Sequence, residues 1–197
     1  MEIIFATGNR HKVVEAQKAL GDSFALIMPK DLGLTEEIPE DGDTLEKNAI
    51  QKAEYLWNKF GKNCFADDTG LEVDALGGAP GVYTARYAGP DKGSDANMEK
   101  LLAELSAVEA TDGKVSRSAR FRTVVALIID GETRTFEGVM EGEIARAKSG
   151  SEGFGYDPVF IPQGYNCTIA EISLDEKNAI SHRGKAMRAL AEYLNTL

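Results

Sequence analysis

The opening of the chain restricts the fold most. Glu2 to Ala6 (EIIFA) is a short apolar run that enters a turn at Thr7-Gly8-Asn9. The next segment, HKVVEAQKALG, places Val13, Val14, Ala16 and Leu20 roughly on one side of a helix, and Gly21 stops it. Phe24 to Met28 (FALIM) reads as a second strand. Two strands separated by a helix pair in parallel, because a parallel return needs a crossover where an antiparallel one needs only a hairpin. The fold class that follows is α/β.

Later segments add antiparallel strands. Residues 29–43 form an acidic loop with Pro and Gly. Asp43 with Glu46 resembles a capping box and predicts a long helix, TLEKNAIQKAEYLWNKF, ending before Gly61. NCFADD and LEVDA read as strands around Thr69-Gly70, ahead of a Gly/Pro-rich loop, LGGAPGVYTARYAGPDKG. A helix starts near Ser94 or Asp95, with Met98, Leu101, Leu102 and Leu105 at helical spacing. ARFRTVVALIID and TRTFEGVMEGEIARAK flank Asp130-Gly131, a tight-turn pair, and predict a hairpin and meander. SGSEGFGYDP leads to a short strand at VFI, and a final helix runs from about His182 to Leu194. The sheet is therefore expected to be mixed. No linker-like composition separates independently folding parts, so residues 1–197 read as a single domain with room for two lobes.

Charge narrows the function classes. The formal net charge is -10. Affinity for DNA or RNA rests on Lys and Arg neutralising phosphates, so general nucleic-acid binding is disfavoured, while a small phosphorylated ligand needs only a few local cations. No stretch approaches a membrane span, and no basic region precedes an apolar run at the N-terminus. Cys64 and Cys167 form neither a metal spacing nor a disulfide framework. A cytoplasmic protein without membrane contact is the expectation.

Several weak signals carry chemistry. Thr7-Gly8-Asn9-Arg10-His11-Lys12 lies at a strand-to-helix turn, where free backbone N–H groups and the helix dipole suit an anion. An Asn-capped helix with a solvated Lys fits the same residues. In the long helix, with Leu45 at zero, Ala49, Leu56 and Phe60 fall at about 40°, 20° and 60°, Lys52 at about -20° and Asn48 at about -60°. Lys52 thus projects from the apolar arc or its edge, which means either snorkelling or a buried anionic partner. In the last helix Arg183 lands on the apolar face and His182 just outside it. An inward Arg needs carboxylates, carbonyls or a ligand; a helix whose first turn is exposed is the alternative. GFGYDP can lay a ring against a flat ligand or plug the core. Asp67 and Asp68 end an apolar run, and strand alternation sends them to opposite faces. One would cap the following turn. The other, with an acid from the loop holding Glu36, Glu37, Glu40 and Asp41, could hold Mg²⁺. Jointly these features suit a nucleoside polyphosphate with Mg²⁺.

The blocks FATGNRHKVVEA, GDTLEKNAIQKA, ADDTGLEVDALGGAPGVYTARYAG, GFGYDPVF and EKNAISHRGKA resemble, in order, the signature blocks of the inosine-triphosphate pyrophosphatase family, the dITP/XTP pyrophosphatases. The resemblance spans essentially the whole chain. It implies an elongated, two-lobed α/β fold around a central mixed sheet with an active-site cleft between the lobes, a homodimer, and Mg²⁺-dependent hydrolysis. Non-standard purine nucleoside triphosphates (ITP, dITP, XTP) would yield the monophosphate and pyrophosphate. It also implies that Thr7, Gly8, Asn9, Arg10, His11 and Lys12 bind substrate, with Lys52 on the phosphates. Asp68 matches the catalytic, metal-binding acid and Thr69 a substrate contact. Phe154, Gly155, Tyr156 and Asp157 match the base-side loop, and Lys177, His182 and Arg183 the base-recognition segment. Many relatives read Glu-Glu-x-Gly in the acidic loop; here IPEDG puts Pro39 at the first Glu, so Glu40, or else Glu37, is the second metal ligand by proximity. A pyrophosphatase of other base preference and a non-catalytic nucleotide-binding protein are the alternatives.

Overall fold

The computed structural model describes residues 1–91 and 93–197; Lys92, in the Gly/Pro-rich loop, lies outside them. β1 (Glu2–Phe5) leads through α1 (Arg10–Leu20) to β2 (Ala25–Ile27). The two strands run parallel, with Ile3 opposite Leu26, as the crossover pattern predicts. α2 (Leu45–Phe60), β3 (Cys64–Val73), the two-residue β4 (Pro80–Gly81) and α3 (Ser94–Asp112) follow. β5 (Ser118–Ile129) and β6 (Glu132–Ile144) form the hairpin, and β7 (Phe160–Pro162), α4 (Leu174–Ile180) and α5 (His182–Leu194) complete the chain. The sheet order is β2-β1-β3-β5-β6-β7, with β4 on β3. It is mixed: β1 is parallel to β2 and β3, whereas β4 and β7 are antiparallel to β3 and β6. Asp130 and Gly131 both take positive φ, 50° and 86°, as a primed hairpin turn requires.

The chain divides into two compact units. The first comprises residues 1–69, 123–138 and 178–197. Its core is built from Ile3, Phe5, Ala16, Leu20, Phe65, Val125, Leu127 and the apolar face of α5, with Phe5 and Phe65 stacked at 4.4 Å. The second comprises residues 70–122 and 139–177. There Met98, Leu101 and Leu105 of α3 are buried, and Phe121 packs on Phe160 at 4.7 Å. No helix among the described residues is long and apolar enough to cross a membrane.

Three local expectations are corrected. Thr44, not Asp43, caps α2: its backbone is extended and its Oγ1 accepts from the Lys47 N–H at 3.1 Å. Asp43 instead pairs with the Lys47 side chain on the surface. Second, Thr69-Gly70 is not a turn. β3 runs unbroken because pairing continues past Gly70, with Leu71 opposite Gly81. Neither Asp67 nor Asp68 therefore caps a turn there. Third, Val14 is exposed while Glu15 is buried. With Leu20 at zero, Ala16, Lys12 and Glu15 fall at about -40°, -80° and -140°, and Val14 at about 120°, outside that arc.

Gly138 on β6 lets α5 approach the sheet. A Cβ there would lie 2.0 Å from the His182 carbonyl oxygen and 2.7 Å from the Ala186 nitrogen, both backbone atoms that cannot rotate away. Gly138→Ala is predicted to destabilise the protein by about 1–3 kcal/mol. A urea midpoint equal to that of the wild type would contradict this packing.

Candidate active site

β3 carries two adjacent carboxylates into the first unit, and its alternation sends them to different partners. Asp67 is 1% exposed. Its Oδ1 accepts from Lys12 Nζ of α1 at 3.0 Å, and its Oδ2 from Arg183 Nε of α5 at 3.2 Å. Arg183 also donates to Glu15 Oε2 at 2.5 Å and to Thr69 Oγ1 at 3.3 Å. Thr69 in turn shares a hydrogen bond with Thr123 at 2.7 Å. Of the two readings that helical spacing left open for Arg183, the inward one holds: it is 2% exposed and meets two carboxylates. Burial works against ionisation of Asp67, yet Lys12, Arg183 and Lys52 outweigh it and hold its carboxyl far below the usual carboxylate range. For Lys12, burial followed by the neighbouring Arg183 and Lys52 lowers the ammonium pKa, despite Asp67.

Asp68 faces α2. Its Oδ1 accepts from Lys52 Nζ at 3.1 Å and its Oδ2 from Asn48 Nδ2 at 3.1 Å. Lys52 also donates to Glu40 Oε2 at 2.7 Å, so one ammonium joins both acids. Lys52 is buried, as its place on the apolar arc suggested. Burial disfavours its charge, but Asp68, Asp67 and Glu40 more than compensate and raise its pKa. Asp68 moves the other way from Asp67: burial, reinforced by Glu40, raises its carboxyl against the pull of Lys52 and Asn48.

A pocket of about 530 Å³ opens in this unit, walled by Thr7, Gly8, Asn9, Lys12, Glu37, Glu40, Lys52 and Asp67 among others. Asp68 is not on that wall and meets it through Lys52. Asn9 caps α1, accepting from the N–H groups of His11 and Lys12 at 2.9 and 3.4 Å. A Cβ at Gly8 would meet nothing within 4 Å, so the turn fronts open space. Arg10 and His11 are exposed and do not line the pocket. Glu36 is taken by Lys59 and Tyr55. Glu37 is exposed on the pocket rim, whereas Glu40 shares Lys52 with Asp68.

The base-side candidates Phe154 to Asp157 and Lys177 lie in the second unit. Asp157 organises them: its Oδ2 accepts from the Phe154 N–H at 2.9 Å and from Lys177 Nζ at 2.7 Å. That ammonium sits 4.6 Å from the centre of the Phe154 ring. Gly153 has φ +79°, and a Cβ there would strike Asp157 Oδ2 at 2.0 Å, so both conformation and space require glycine. Of the two rings, Phe154 is half-buried, while Tyr156 is buried with its hydroxyl donating to the Thr84 carbonyl. Tyr156 thus plugs the interior. His182 is buried in the first unit beside Arg183 at the start of α5.

Sequence reasoning missed Glu15 and Asn48. Glu15 offered no signal, being an acid flanked by Val14 and Ala16. Asn48 did offer one: a poor mid-helix residue placed near the apolar arc.

The charge arrangement predicts opposite outcomes for neighbouring substitutions. The carboxyl of Asp67 is depressed, so its stabilisation is fully present above the ordinary carboxylate range and is lost as pH falls through the folded value. For Asp68 the carboxyl is raised, so its ionisation costs stability at neutral pH. At pH 7, Asp67→Asn should cost about 3–5 kcal/mol, because buried cations lose their partner. Asp68→Asn should cost less, because Lys52 keeps Glu40 and the Asp68 carboxyl is itself disfavoured as an anion. Equal losses in chemical denaturation would refute the division of labour.

Comparison with known proteins identifies the family. Residues 3–193 match the model of the Ham1 family. The chain is 49% identical over 193 residues to the dITP/XTP pyrophosphatase of Flavobacterium psychrophilum, covering 98% of each. It is 48% identical over 195 residues to that of Bacillus subtilis, covering 98% of this chain and 96% of the relative. The HAM1 protein structure from Coxiella burnetii superposes with a TM-score of 0.90 at 38% identity, covering 100% of both chains. With its mixed-sheet α/β fold and full-length match, the chain belongs to the Ham1 family.

Proposed function

We propose that this protein hydrolyses non-standard purine nucleoside triphosphates (ITP, dITP, XTP) to the nucleoside monophosphate and pyrophosphate, with Mg²⁺. The observation that carries this reading is the buried Lys52 ammonium joining Glu40 and Asp68 beside a pocket that also holds Lys12 and the turn at Gly8. The relatives' names supply the substrate class.

The donor set fits a hard divalent cation. Asp68 and Glu40 both offer carboxylate oxygens and share the Lys52 ammonium. No cluster of three or more His, Cys, Asp or Glu with metal-ligand arrangement occurs among the described residues. Two carboxylates completed by water and phosphate oxygens match Mg²⁺. When bound, such an ion neutralises phosphate charge and makes a coordinated water more acidic.

The chain's own residues supply the rest. Lys12 and Lys52 add positive charge for the triphosphate, and phosphoryl-type transfer depends mostly on such positioning and electrostatic stabilisation. The Gly8 turn permits close backbone approach. Water attacks the α-phosphorus and the P–O bond to the pyrophosphate leaving group breaks. The raised carboxyl of Asp68 makes it a stronger base than an ordinary Asp, suited to orienting and accepting a proton from the attacking water. Base preference rests on a protein donor to the 6-keto group shared by hypoxanthine and xanthine. Adenine carries an amino donor at that position and would leave a donor unpaired, at a cost of roughly one to two orders of magnitude per donor.

A panel of nucleoside triphosphates with separate pyrophosphate and orthophosphate readouts tests this. ITP, dITP and XTP should release pyrophosphate with Mg²⁺, and kcat/KM for ATP should be lower by at least about tenfold. Asp68→Asn should lose about 10²-fold or more in kcat. Orthophosphate release, equal use of ATP, or a fully active Asp68→Asn would each overturn the assignment.

A further inference from the structure

Asn48 is fully buried on α2 among Leu45, Ala49 and Lys52, a poor place for an amide unless its polar atoms are used. Both ends are used. Its Oδ1 accepts from the Gly42 N–H at 2.6 Å, and its Nδ2 donates to Asp68 Oδ2 at 3.1 Å. The amide has a single workable orientation: flipped, it would set an NH₂ against the Gly42 N–H and an oxygen against the Asp68 carboxylate. Gly42 lies two residues after Glu40, so one side chain ties the loop bearing one acid to the other acid.

The loop is pressed closely onto the helix at this point. A Cβ on Gly42 would lie 2.6 Å from Asn48 Oδ1, 2.9 Å from Lys47 Cβ and 3.0 Å from Asn48 N. Gln51, three residues on, adds a second strap: its Oε1 accepts from the Asp41 N–H at 2.9 Å and its Nε2 donates to the Asp41 carboxylate at 3.2 Å. Lys52, a further residue along, holds Glu40 itself. Residues 48, 51 and 52 are neighbours on one helical face, so α2 acts as a template for the loop.

We infer that Asn48 is a positioning residue that sets the divalent-cation affinity of the site by fixing the Glu40 loop and the Asp68 carboxylate relative to one another. This rests on the proposed Mg²⁺-dependent reaction. Asn48 touches no phosphate in this scheme; it acts through Asp68 and Gly42. Groups that orient metal-binding carboxylates from behind commonly contribute 10–100-fold in metal affinity when removed. Charge is not the lever, since Asn48 is neutral, so the effect is on metal affinity at fixed nucleotide affinity.

The test compares wild type, Asn48→Ala and Gly42→Ala. Asn48→Ala cuts both ties. Gly42→Ala keeps Asn48 and Asp68 intact but forces the loop off the helix, on a segment less buried and less dangerous to the fold. Binding of Mn²⁺ alone is followed by loss of the free-ion electron spin resonance signal, and the Mg²⁺ half-saturation of ITP turnover is measured in parallel. Both variants should weaken Mn²⁺ binding and raise the Mg²⁺ requirement by about tenfold or more, with KM for ITP at saturating Mg²⁺ within about twofold of wild type. The double variant should be no worse than Asn48→Ala, because both act on one strap. A folded Asn48→Ala, or Gly42→Ala, with wild-type Mn²⁺ affinity and Mg²⁺ requirement would overturn the inference. Equal losses in nucleotide KM would do so as well, by pointing to general disruption. Absence of pyrophosphate release by wild type would instead overturn the functional reading, a separate result.

Discussion

Two adjacent carboxylates can share a buried strand only if each has cations of its own. Alternation along β3 makes this possible by turning Asp67 toward Lys12 and Arg183, and Asp68 toward Lys52 and Asn48. The elements around the strand follow from that division. α1 contributes Lys12 and Glu15, α5 contributes Arg183, and α2 contributes Asn48 and Lys52. Those helices are held by apolar contacts, with the α5 face packing into the same core as Phe5 and Phe65. The hydrophobic core thus supplies the rigidity, and the ion pairs fix which polar groups it carries.

The two acids end up with different chemistry. Asp67 is locked as an anion by surrounding positive charge, which suits a structural counter-ion. Asp68 is desolvated beside a second acid, so its carboxyl is easier to protonate and more basic when ionised. The family resemblance implies catalysis for Asp68, and of the two carboxylates the more basic one is the better proton acceptor. Lys52 links this acid to the pocket wall, so the same ammonium compensates both acids and lines the pocket.

Much of this was legible in the sequence because it depends on period. The parallel pair, the hairpin at Asp130-Gly131 and the end of α2 before Gly61 follow from spacing and turn chemistry, which also placed Lys52 and Arg183 on or beside apolar arcs while leaving their burial open. What spacing could not supply was the identity of partners. Arg183 meets Glu15 from 168 residues away, and nothing local marks Glu15 as buried. Asp43 and Thr44 are both good caps, and only the backbone conformation decides between them. The Gly70 position suggested a turn because glycine permits one; continued pairing with β4 overrode it. In the GFGYDP loop either ring could have been the interior one, and the Tyr156 hydrogen bond to Thr84, far away in sequence, settles it.

Neighbouring Asp67 and Asp68 occupy opposite electrostatic environments. Carbon-13 NMR titration of the side-chain carboxyls in the metal-free protein measures this directly. Asp67 should stay ionised to the lowest pH at which the fold persists, while Asp68 should take up its proton above the ordinary Asp value of about 3.9. The reverse order, or two carboxyls titrating together near that value, would contradict it.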